Sequence, residues 1–567
     1  MKKSGILLPV FSLPSRFGPG SFSAEAFRFI DLLRETGQSY WQILPLGPIG
    51  KSFSPYHSAS SFTGNIFFID PFTLADKGLL TADELAQAEQ KIAETEKESA
   101  AAGQNSCDAV SEHTGHFINY PAATKVLEKL FRLAFSRFEP GDEYQAFCRE
   151  QAADLDDAAL FTALQLKYDG VPPSEWPLAL RNREPEACAA AAAELADEIR
   201  FQKWAQYEFS CQWNAIREYA HANGIRIIGD LPIYPAPDSA DCWTHPELFQ
   251  TDDKMCPAAV AGCPPDGFAP EGQHWGNPLY RWHDMRDQVF EWWVDRLQAA
   301  FRQSDIVRID HFRGFESYFS IPSETGRPAD GHWEKGPGIE FFRFIESRIG
   351  CLPIIAEDLG FLTDEVHTLI NETGYPGMKV LQFAFDGDPW NAYLPHHYET
   401  ENCVVYTGTH DNDTTKGWYR TLDDWHINYV ANFIRAYYAE HGITDRAREA
   451  GRVADILTTG AADSSWERRI SGSLTERPVT DILPDPEITG INENNIAGFM
   501  TAVAQFSRAD TCIIPLQDYL EYGSEARINT PGTTSGNWCW KLRTGDITAE
   551  TAARIAALTR ISGRFQE

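Results

Sequence analysis

The chain lacks any long hydrophobic run, and its 567 residues include far fewer basic than acidic side chains. No segment approaches the roughly 18 uninterrupted apolar residues of a membrane-spanning helix, so the sequence predicts no membrane protein. Lys and Arg number 49 against 81 Asp and Glu, which gives a formal net charge of -32. Because an acidic surface repels polyanions, nucleic acid and anionic membranes are not expected as partners.

The chain also lacks the cysteine spacing of a metal site or of a disulfide framework. Its 11 cysteines are an odd number and lie scattered, with Cys256 and Cys263 as the nearest notable pair. The apolar segment at residues 5–11 is short and interrupted by Pro9, unlike a signal peptide. We therefore expect reduced thiols and a cytoplasmic protein.

Eight short segments rich in β-branched residues are bounded by turn residues, a pattern typical of buried parallel strands. They are residues 5–8, 40–46, 226–233, 305–312, 353–359, 378–385, 402–410 and 511–517. Amphipathic helical patterns lie between several of them, for example at residues 24–36, 201–223 and 287–303. Eight strands alternating with helices predict an α/β fold, a (β/α)8 TIM barrel.

The uneven spacing of these strands predicts inserted, largely helical subdomains. Residues 1–73 are expected to supply the first two barrel strands, and residues 74–200, with Ala/Glu-rich stretches, an inserted helical subdomain. Residues 201–567 are expected to form the remainder of the barrel. They include a long insertion near residues 439–493 that is rich in Pro, Gly, Ser and Asp, for which we expect long loops.

Three of the predicted strands end in a carboxylate, at Asp310, Glu357 and Asp411. Barrel enzymes carry their chemistry at the carboxyl ends of the strands. A retaining glycosidic-bond enzyme uses two carboxyl groups about 5 to 5.5 Å apart, one as nucleophile and one as general acid and base. We expect Asp310 and Glu357 to form that pair, with Asp411 facing the same cavity. Arg308 shares a strand face with Asp310 and is expected to keep it ionised, whereas crowding raises the pKa of the proton donor.

Other interpretations of these residues remain open at this point. An acid at a strand end can simply cap the following helix. His311 and His410, which adjoin two of the acids, could be satisfied core histidines or could hydrogen-bond sugar hydroxyls. A metal site built from them is compatible with the residue types, but no ligand spacing supports it. Because clustered titratable groups are commoner at functional sites, the clustering favours catalysis.

The chain resembles a known family over its whole length, through blocks of residues in the family's order. They are residues 4–8, 12–15, 37–48, 54–58, 64–65, 229–234, 238–241, 260–262, 264–266, 275–280, 308–314, 356–360, 407–412, 515–518, 523–527 and 531–533. These blocks are similar to those of the amylomaltases or disproportionating enzymes, which are 4-α-glucanotransferases related to the α-amylase superfamily. The resemblance implies a barrel with inserted subdomains and maltooligosaccharides and α-1,4-glucans as substrates. It implies no cofactor, no catalytic metal and no particular oligomeric state.

The resemblance also implies roles for individual residues. Asp310 would be the nucleophile, Glu357 the general acid and base, and Asp411 the residue that stabilises the distorted sugar. The residues expected to contact the glucan are Tyr56, Asp230, Trp275, Arg308, His311, His410, Ser54 and Phe268. For Tyr56 and Trp275 the alternative is ordinary core packing.

The predicted reaction is transfer of α-1,4-glucan segments between maltooligosaccharides by double displacement with retention. Transfer requires acceptor binding and exclusion of water, for which the Gly/Pro-rich residues 256–278 are expected to form an acceptor-side loop and lid. The chain departs from the family pattern at Gly267, where relatives usually carry an aromatic residue, and at residues 9–11 and 51–53. The alternatives are an α-1,4-glucan hydrolase of the α-amylase type and a catalytically silent glucan-binding protein.

Overall fold

The computed structural model of the chain describes residues 2–50, 52–101, 116–265, 270–360, 362–453 and 472–566. The strands in this part of the chain are β1 Lys3–Leu7, β2 Tyr40–Gln42, β3 Arg226–Pro232, β4 Ala259–Cys263, β5 Gln273–Pro278, β6 Ile306–Asp310, β7 Ser317–Pro322, β8 His332–Lys335, β9 Ile354–Ala356, β10 Gly377–Val380, β11 Cys403–Tyr406 and β12 Thr511–Pro515. Eight of them are parallel and form one sheet in the order β10-β11-β12-β1-β2-β3-β6-β9.

Hydrogen bonds between the two end strands of this sheet close it into a barrel. The amide of Ala356 in β9 donates to the carbonyl of Pro376, just before β10, at 2.9 Å. The amide of Met378 in β10 donates to Asp358 Oδ1 at 2.6 Å. Each of the eight predicted strands overlaps one of the eight parallel strands, so the predicted (β/α)8 barrel is confirmed.

Apolar side chains fill the interior of the barrel and explain why its strands are recognisable in the sequence. The interior cluster comprises Leu7, Tyr40, Ile228, Ile355, Met378, Val380, Val404, Tyr406 and Ile513, all of them buried. Other side chains of the same strands pack outward against helices, as Ile6, Trp41 and Val405 do. Burial on both faces produces continuous apolar runs, the signal on which the strand predictions rest.

Helices cover the outside of the barrel. The longer helices beside the barrel strands are Ala24–Glu35, Ala196–Ala222, Arg286–Gln303, Ile339–Ile349, Asp364–Thr373, Asp424–His441, Ile496–Phe506 and Ala549–Ile561. Four shorter helices are Ala240–Thr244, Thr415–Arg420, Ile443–Glu449 and Leu516–Tyr519. The helix Ala196–Ala222 ends before Gly224, whose φ of +74° is the left-handed conformation that glycine adopts without strain.

A group of helices lies between β2 and β3. Its members are Pro71–Asp76, Ala82–Ala101, Tyr120–Phe135, Asp142–Glu150, Ala152–Lys167, Leu178–Arg181 and Pro185–Glu194. Buried residues of this group, such as Leu127 and Phe131, belong to the same apolar core as Trp204 of the barrel helix Ala196–Ala222. The division of the chain at residues 74 and 200 stays a prediction.

A second, four-stranded sheet lies beside the barrel, in the order β5-β4-β7-β8. Its neighbouring strands are antiparallel, and β4 pairs with both β5 and β7. The described part of the predicted acceptor-side loop at residues 256–278 therefore contains the two strands β4 and β5. In the insertion near residues 439–493 the structure has the helices Ile443–Glu449, Gly472–Thr475 and Pro486–Thr489, while residues 454–471 lie outside the described residues.

Two further findings concern the described ranges alone. No helix within them combines the length and the apolarity that crossing a membrane requires. Ten cysteines fall within them, and no disulfide joins any two of these ten.

Candidate active site

The carboxyl ends of β6 and β9 bring two carboxyl groups side by side. Asp310 is the last residue of β6, and Glu357 directly follows β9. The two strands are parallel, with Ile309 opposite Ala356, so the residues that follow these two are neighbours at one edge of the barrel. Backbone hydrogen bonds from Glu357 N to Ile309 O and from Phe312 N to Glu357 O, both 3.1 Å long, fix this arrangement.

Arg308 joins two aspartates at the floor of this site. Its Nη1 donates to Asp230 Oδ1 and Oδ2 at 2.8 and 2.7 Å and lies 3.1 Å from Asp310 Oδ1. The register of β3 and β6 places Arg308 directly opposite Asp230. The side chains of Arg308 and Asp230 are 3% and 0% exposed. Buried charges are tolerated only when they are paired, so Arg308 and the two aspartates depend on one another for charge compensation.

Tyr56 forms one wall of the site. Its hydroxyl donates to Asp230 Oδ2 at 2.9 Å, and its ring stacks on His410 with centroids 5.1 Å apart. Burial, followed by the nearby charge of Asp230, raises the pKa of Tyr56 well above its usual value, so the phenol remains a donor. The hydroxyl of Ser54 accepts from the amide of Tyr56 at 3.2 Å. Ser54 therefore shapes the turn that carries the ring.

Asp411 follows β11 and is held by residues from the segment after β12. Asn529 Nδ2 donates to Asp411 Oδ1 at 2.6 Å, and Arg527 Nη2 donates to the carbonyl of Asp411 at 2.8 Å. His410 Nε2 lies 3.4 Å from Asp411 Oδ2. Sequence reasoning did not identify Arg527 and Asn529 as site residues. The family block at residues 523–527, which includes Arg527, was the only sequence signal for either residue. No local pattern indicates the contacts of Arg527 and Asn529 with Asp411, because the partners lie more than a hundred residues apart in the chain.

His311 occupies an unusual backbone position between the two central acids. Its φ of +55° lies in the left-handed region, and its amide donates to Glu357 Oε2 at 2.7 Å. Burial lowers the pKa of His311 to about 3, so the imidazole is neutral near pH 7. Its Nε2 is buried and has no hydrogen-bond partner among the described residues. A buried polar atom without a partner indicates a place where a ligand can bond.

Trp275 packs against this histidine from the second sheet. The ring of Trp275, in β5, contacts the His311 ring edge to face with centroids 4.7 Å apart. Its Nε1 donates to Gln273 Oε1 at 3.0 Å, which fixes the orientation of the indole. The predicted contact residue Phe268 and the departure at Gly267 lie outside the described residues.

Burial raises the pKa of both central acids above the usual carboxylate range. For Asp310 the rise is large, and the charges of Glu357, Asp230 and Asp411 add to it while Arg308 opposes it. For Glu357 the rise is opposed by Arg308 and by the amides of Leu359 and His311, which donate to its carboxylate at 2.8 and 2.7 Å. Because Arg308 pairs with both Asp230 and Asp310, its charge offsets only part of this rise. Asp310 and Glu357 together therefore retain a proton to a higher pH than isolated carboxylates do.

The structure brings together all the predicted site residues that it describes. One connected group contains Tyr56, Asp230, Arg308, Asp310, His410 and Asp411, with Ser54 attached through Tyr56. Glu357, His311 and Trp275 form a second group on the adjoining strand end. Among the described residues, no cluster of three or more His, Cys, Asp or Glu side chains is arranged to hold a metal ion.

Replacing Asp230 by Ala is expected to lower the free energy of unfolding by about 3 kcal/mol, because it leaves the buried Arg308 guanidinium with Asp310 as its main partner. Urea denaturation followed by circular dichroism measures the change. The exposed ion pair of Arg286 with Asp287 supplies the control, since Asp287→Ala is expected to change stability by less than about 1 kcal/mol. Equal effects of the two substitutions would contradict the importance of the buried pair.

Known proteins resemble this chain over its full length. A family model described as 4-alpha-glucanotransferase matches residues 8–548. The 4-alpha-glucanotransferases of Thermus thermophilus and Clostridium butyricum are each 38% identical to the chain; the alignments cover 99% and 98% of it, and 99% and 100% of those proteins. The solved structure of the amylomaltase from Streptococcus agalactiae in complex with acarbose matches with a TM-score of 0.82 at 31% identity, over 100% of both chains.

Proposed function

Since the chain belongs to the 4-alpha-glucanotransferase family, we propose that it transfers α-1,4-glucan segments from one maltooligosaccharide or α-glucan to the 4-hydroxyl of another, or of glucose. The reaction is a retaining double displacement through a covalent glycosyl-enzyme. The observation that carries this proposal is the pair of partly buried carboxyl groups at adjoining strand ends, Asp310 and Glu357, with Arg308 beside the first.

In the first half-reaction Asp310 is the nucleophile and Glu357 the acid. An Asp310 oxygen forms a bond to the anomeric carbon while the bond from that carbon to the glycosidic oxygen breaks. The proton of Glu357 moves to the departing oxygen, and the shortened chain leaves as an alcohol. The raised pKa of the acid pair keeps one proton in the site at a pH where an exposed carboxyl group would have lost it. Arg308, 3.1 Å from Asp310, favours the ionised form of Asp310, so we assign that proton to Glu357.

In the second half-reaction the roles reverse. The carboxylate of Glu357 removes the proton from the 4-hydroxyl of the acceptor, whose oxygen bonds to the anomeric carbon as the bond to Asp310 breaks. Two inversions give net retention. Asp411, held by Asn529, stabilises the positive charge that develops on the distorted sugar ring in both steps.

Neighbouring side chains bind the sugar at the cleavage point. Tyr56 offers an aromatic ring to the apolar face of glucose, and the free Nε2 of the neutral His311 hydrogen-bonds a hydroxyl. Asp230, Arg308, His410 and Trp275 complete this subsite, and Ser54 acts through the turn at Tyr56. The acceptor-side role of residues 256–278, the contact of Phe268 with glucan and a cytoplasmic location remain predictions.

Incubation of the purified protein with maltotriose tests the proposal. We expect glucose together with chains longer than maltotriose, resolved by length, and no products from Asp310→Asn under the same conditions. The reaction is run with EDTA present, because the proposed chemistry needs no metal or organic cofactor. Products shorter than maltotriose alone would show a hydrolase, and unchanged maltotriose would favour a glucan-binding protein; either result contradicts the proposal.

A further inference from the structure

Two strongly exposed tryptophans lie near each other outside the catalytic site. Trp390 is 80% exposed and Trp425 is 56% exposed, values that are unusual for so large an apolar side chain. The two indoles share one region of the surface, because Trp425 lies against Gly387, three residues before Trp390. Three residues of chain place the Cα atoms of Gly387 and Trp390 no more than about 11 Å apart.

Each exposed indole is supported from one side by a parallel ring. Trp390 stacks on His397 with centroids 5.6 Å apart and an angle of 14° between the planes. Trp425 stacks on Tyr429 at 5.4 Å and 16°. The His397 ring is oriented in turn by a hydrogen bond to the carbonyl of Asn391 at 3.1 Å. Both indoles are therefore held in a fixed orientation, and each remains more than half exposed to solvent.

The turn that carries Trp390 is held by two aspartate side chains and passes close to the Trp425 indole. The amide of Asp388 donates to Asp386 Oδ1 and the amide of Trp390 donates to Asp388 Oδ1, both at 2.9 Å. Gly387 has a φ of +93°, and a Cβ at this position would lie 2.9 Å from Trp425 Cη2. Only glycine combines this conformation with so close an approach of the indole.

The loop that carries Trp390 starts at the carboxyl end of a barrel strand. It begins where β10 ends at Val380 and passes through Trp390 to Tyr393. The Tyr393 ring contacts Phe383 edge to face at 5.6 Å. Burial raises the pKa of Tyr393, and the carboxylates of Asp358 and Glu357 raise it further. One short segment thus runs from the carboxyl end of a barrel strand to the open surface.

We propose that Trp390 and Trp425 form a second α-glucan binding surface, which holds a long polysaccharide chain outside the catalytic site. Flat aromatic plates suit the apolar faces of glucose rings, and the nearby carboxylates of Asp386, Asp388 and Asp424 accept hydrogen bonds from hydroxyls. The same carboxylates disfavour an anionic polymer or an anionic membrane as the occupant. The inference rests on the proposed function for the choice of α-glucan as ligand.

Native gel electrophoresis through glycogen tests the binding surface apart from catalysis. The experiment uses Asp310→Asn, so that glycogen is not altered, with and without the double substitution Trp390→Ala and Trp425→Ala. We expect the double substitution to weaken the apparent affinity for glycogen about tenfold, because two aromatic contacts are lost. Trp390→Phe with Trp425→Phe should restore most of the retardation. As a matched control, Leu178→Ala removes an exposed apolar side chain on a distant helix and should change nothing.

Rates measured with native Asp310 separate this inference from the proposed function. The double alanine variant is expected to convert maltotriose within about twofold of the unmodified rate, which also shows that it folds, and to lose rate on dilute glycogen. Glycogen could retard the Asp310→Asn protein equally with and without the two alanine substitutions, while the double alanine variant with native Asp310 converts maltotriose normally. That result would overturn the proposal of a second binding surface and leave the transferase function intact. Absence of maltotriose conversion by the unmodified protein would overturn the proposed function, whatever the gel shows.

Discussion

Asp310→Asn is expected to lower the turnover of maltotriose by at least about 10⁴-fold. An amide of the same shape cannot form the glycosyl-enzyme, so both half-reactions are lost. The initial rate of glucose release measures the effect, and the change should appear in kcat with little change in KM. Near-normal turnover in this variant would end the proposed mechanism.

Asp305 provides a matched control for this substitution. It lies just before the amino end of the same strand, β6, where it accepts a hydrogen bond from the amide of Ile227 at 2.8 Å and pairs with His221. An asparagine at position 305 can still accept the amide bond, so turnover is expected to stay within about twofold of normal. The comparison separates loss of the nucleophile from loss of a carboxylate elsewhere on the strand.

Glu357→Gln is expected to slow the conversion of maltotriose by about 10³-fold, the usual range for loss of a general acid and base. The loss should depend on the leaving group. With α-maltotriosyl fluoride as donor, the first half-reaction needs no proton on the departing atom, so fluoride should be released in a fast burst equal to the enzyme concentration. Slow transfer to the acceptor follows, because no carboxylate deprotonates the incoming hydroxyl.

The size of the burst decides the role of Glu357. A burst with the fluoride donor and a slow steady state afterwards identifies Glu357 as the residue that serves both half-reactions. Equal losses with maltotriose and with the fluoride donor would show that Glu357 does not protonate the leaving oxygen. Glu334→Gln, which alters an acid of the second sheet that accepts a hydrogen bond from Tyr318, is the matched control and should leave both rates unchanged.

The barrel could be predicted because its strands are buried on both faces. Segments such as residues 404–406 consist of apolar side chains without alternation, and the structure confirms each of the eight strands. The second sheet was not predicted. β5, Gln273–Pro278, is mostly polar or small and partly exposed, so its place as a strand depends on pairing with β4 and not on a pattern of its own.

The candidate site was predicted in part for a similar reason. Asp310, Glu357 and Asp411 each follow a recognisable apolar run, so their place at one end of the barrel can be read from the chain. The pairing of Arg308 with Asp230 depends on the register of β3 and β6, and the support of Asp411 by Asn529 depends on a contact between the segments that follow the neighbouring strands β11 and β12. Neither relation has a local sequence signal, although each orients an acid of the site.

The covalent glycosyl-enzyme is the central claim, and mass spectrometry of the trapped intermediate tests it most directly. Glu357→Gln is mixed with α-maltotriosyl fluoride, quenched in acid within the burst and digested with pepsin. The mechanism predicts a peptide containing Asp310 that is heavier by one maltotriosyl group, and no such adduct in the variant that also carries Asp310→Asn. A sugar adduct on Asp411, or a complete burst of fluoride without any adduct, would contradict it.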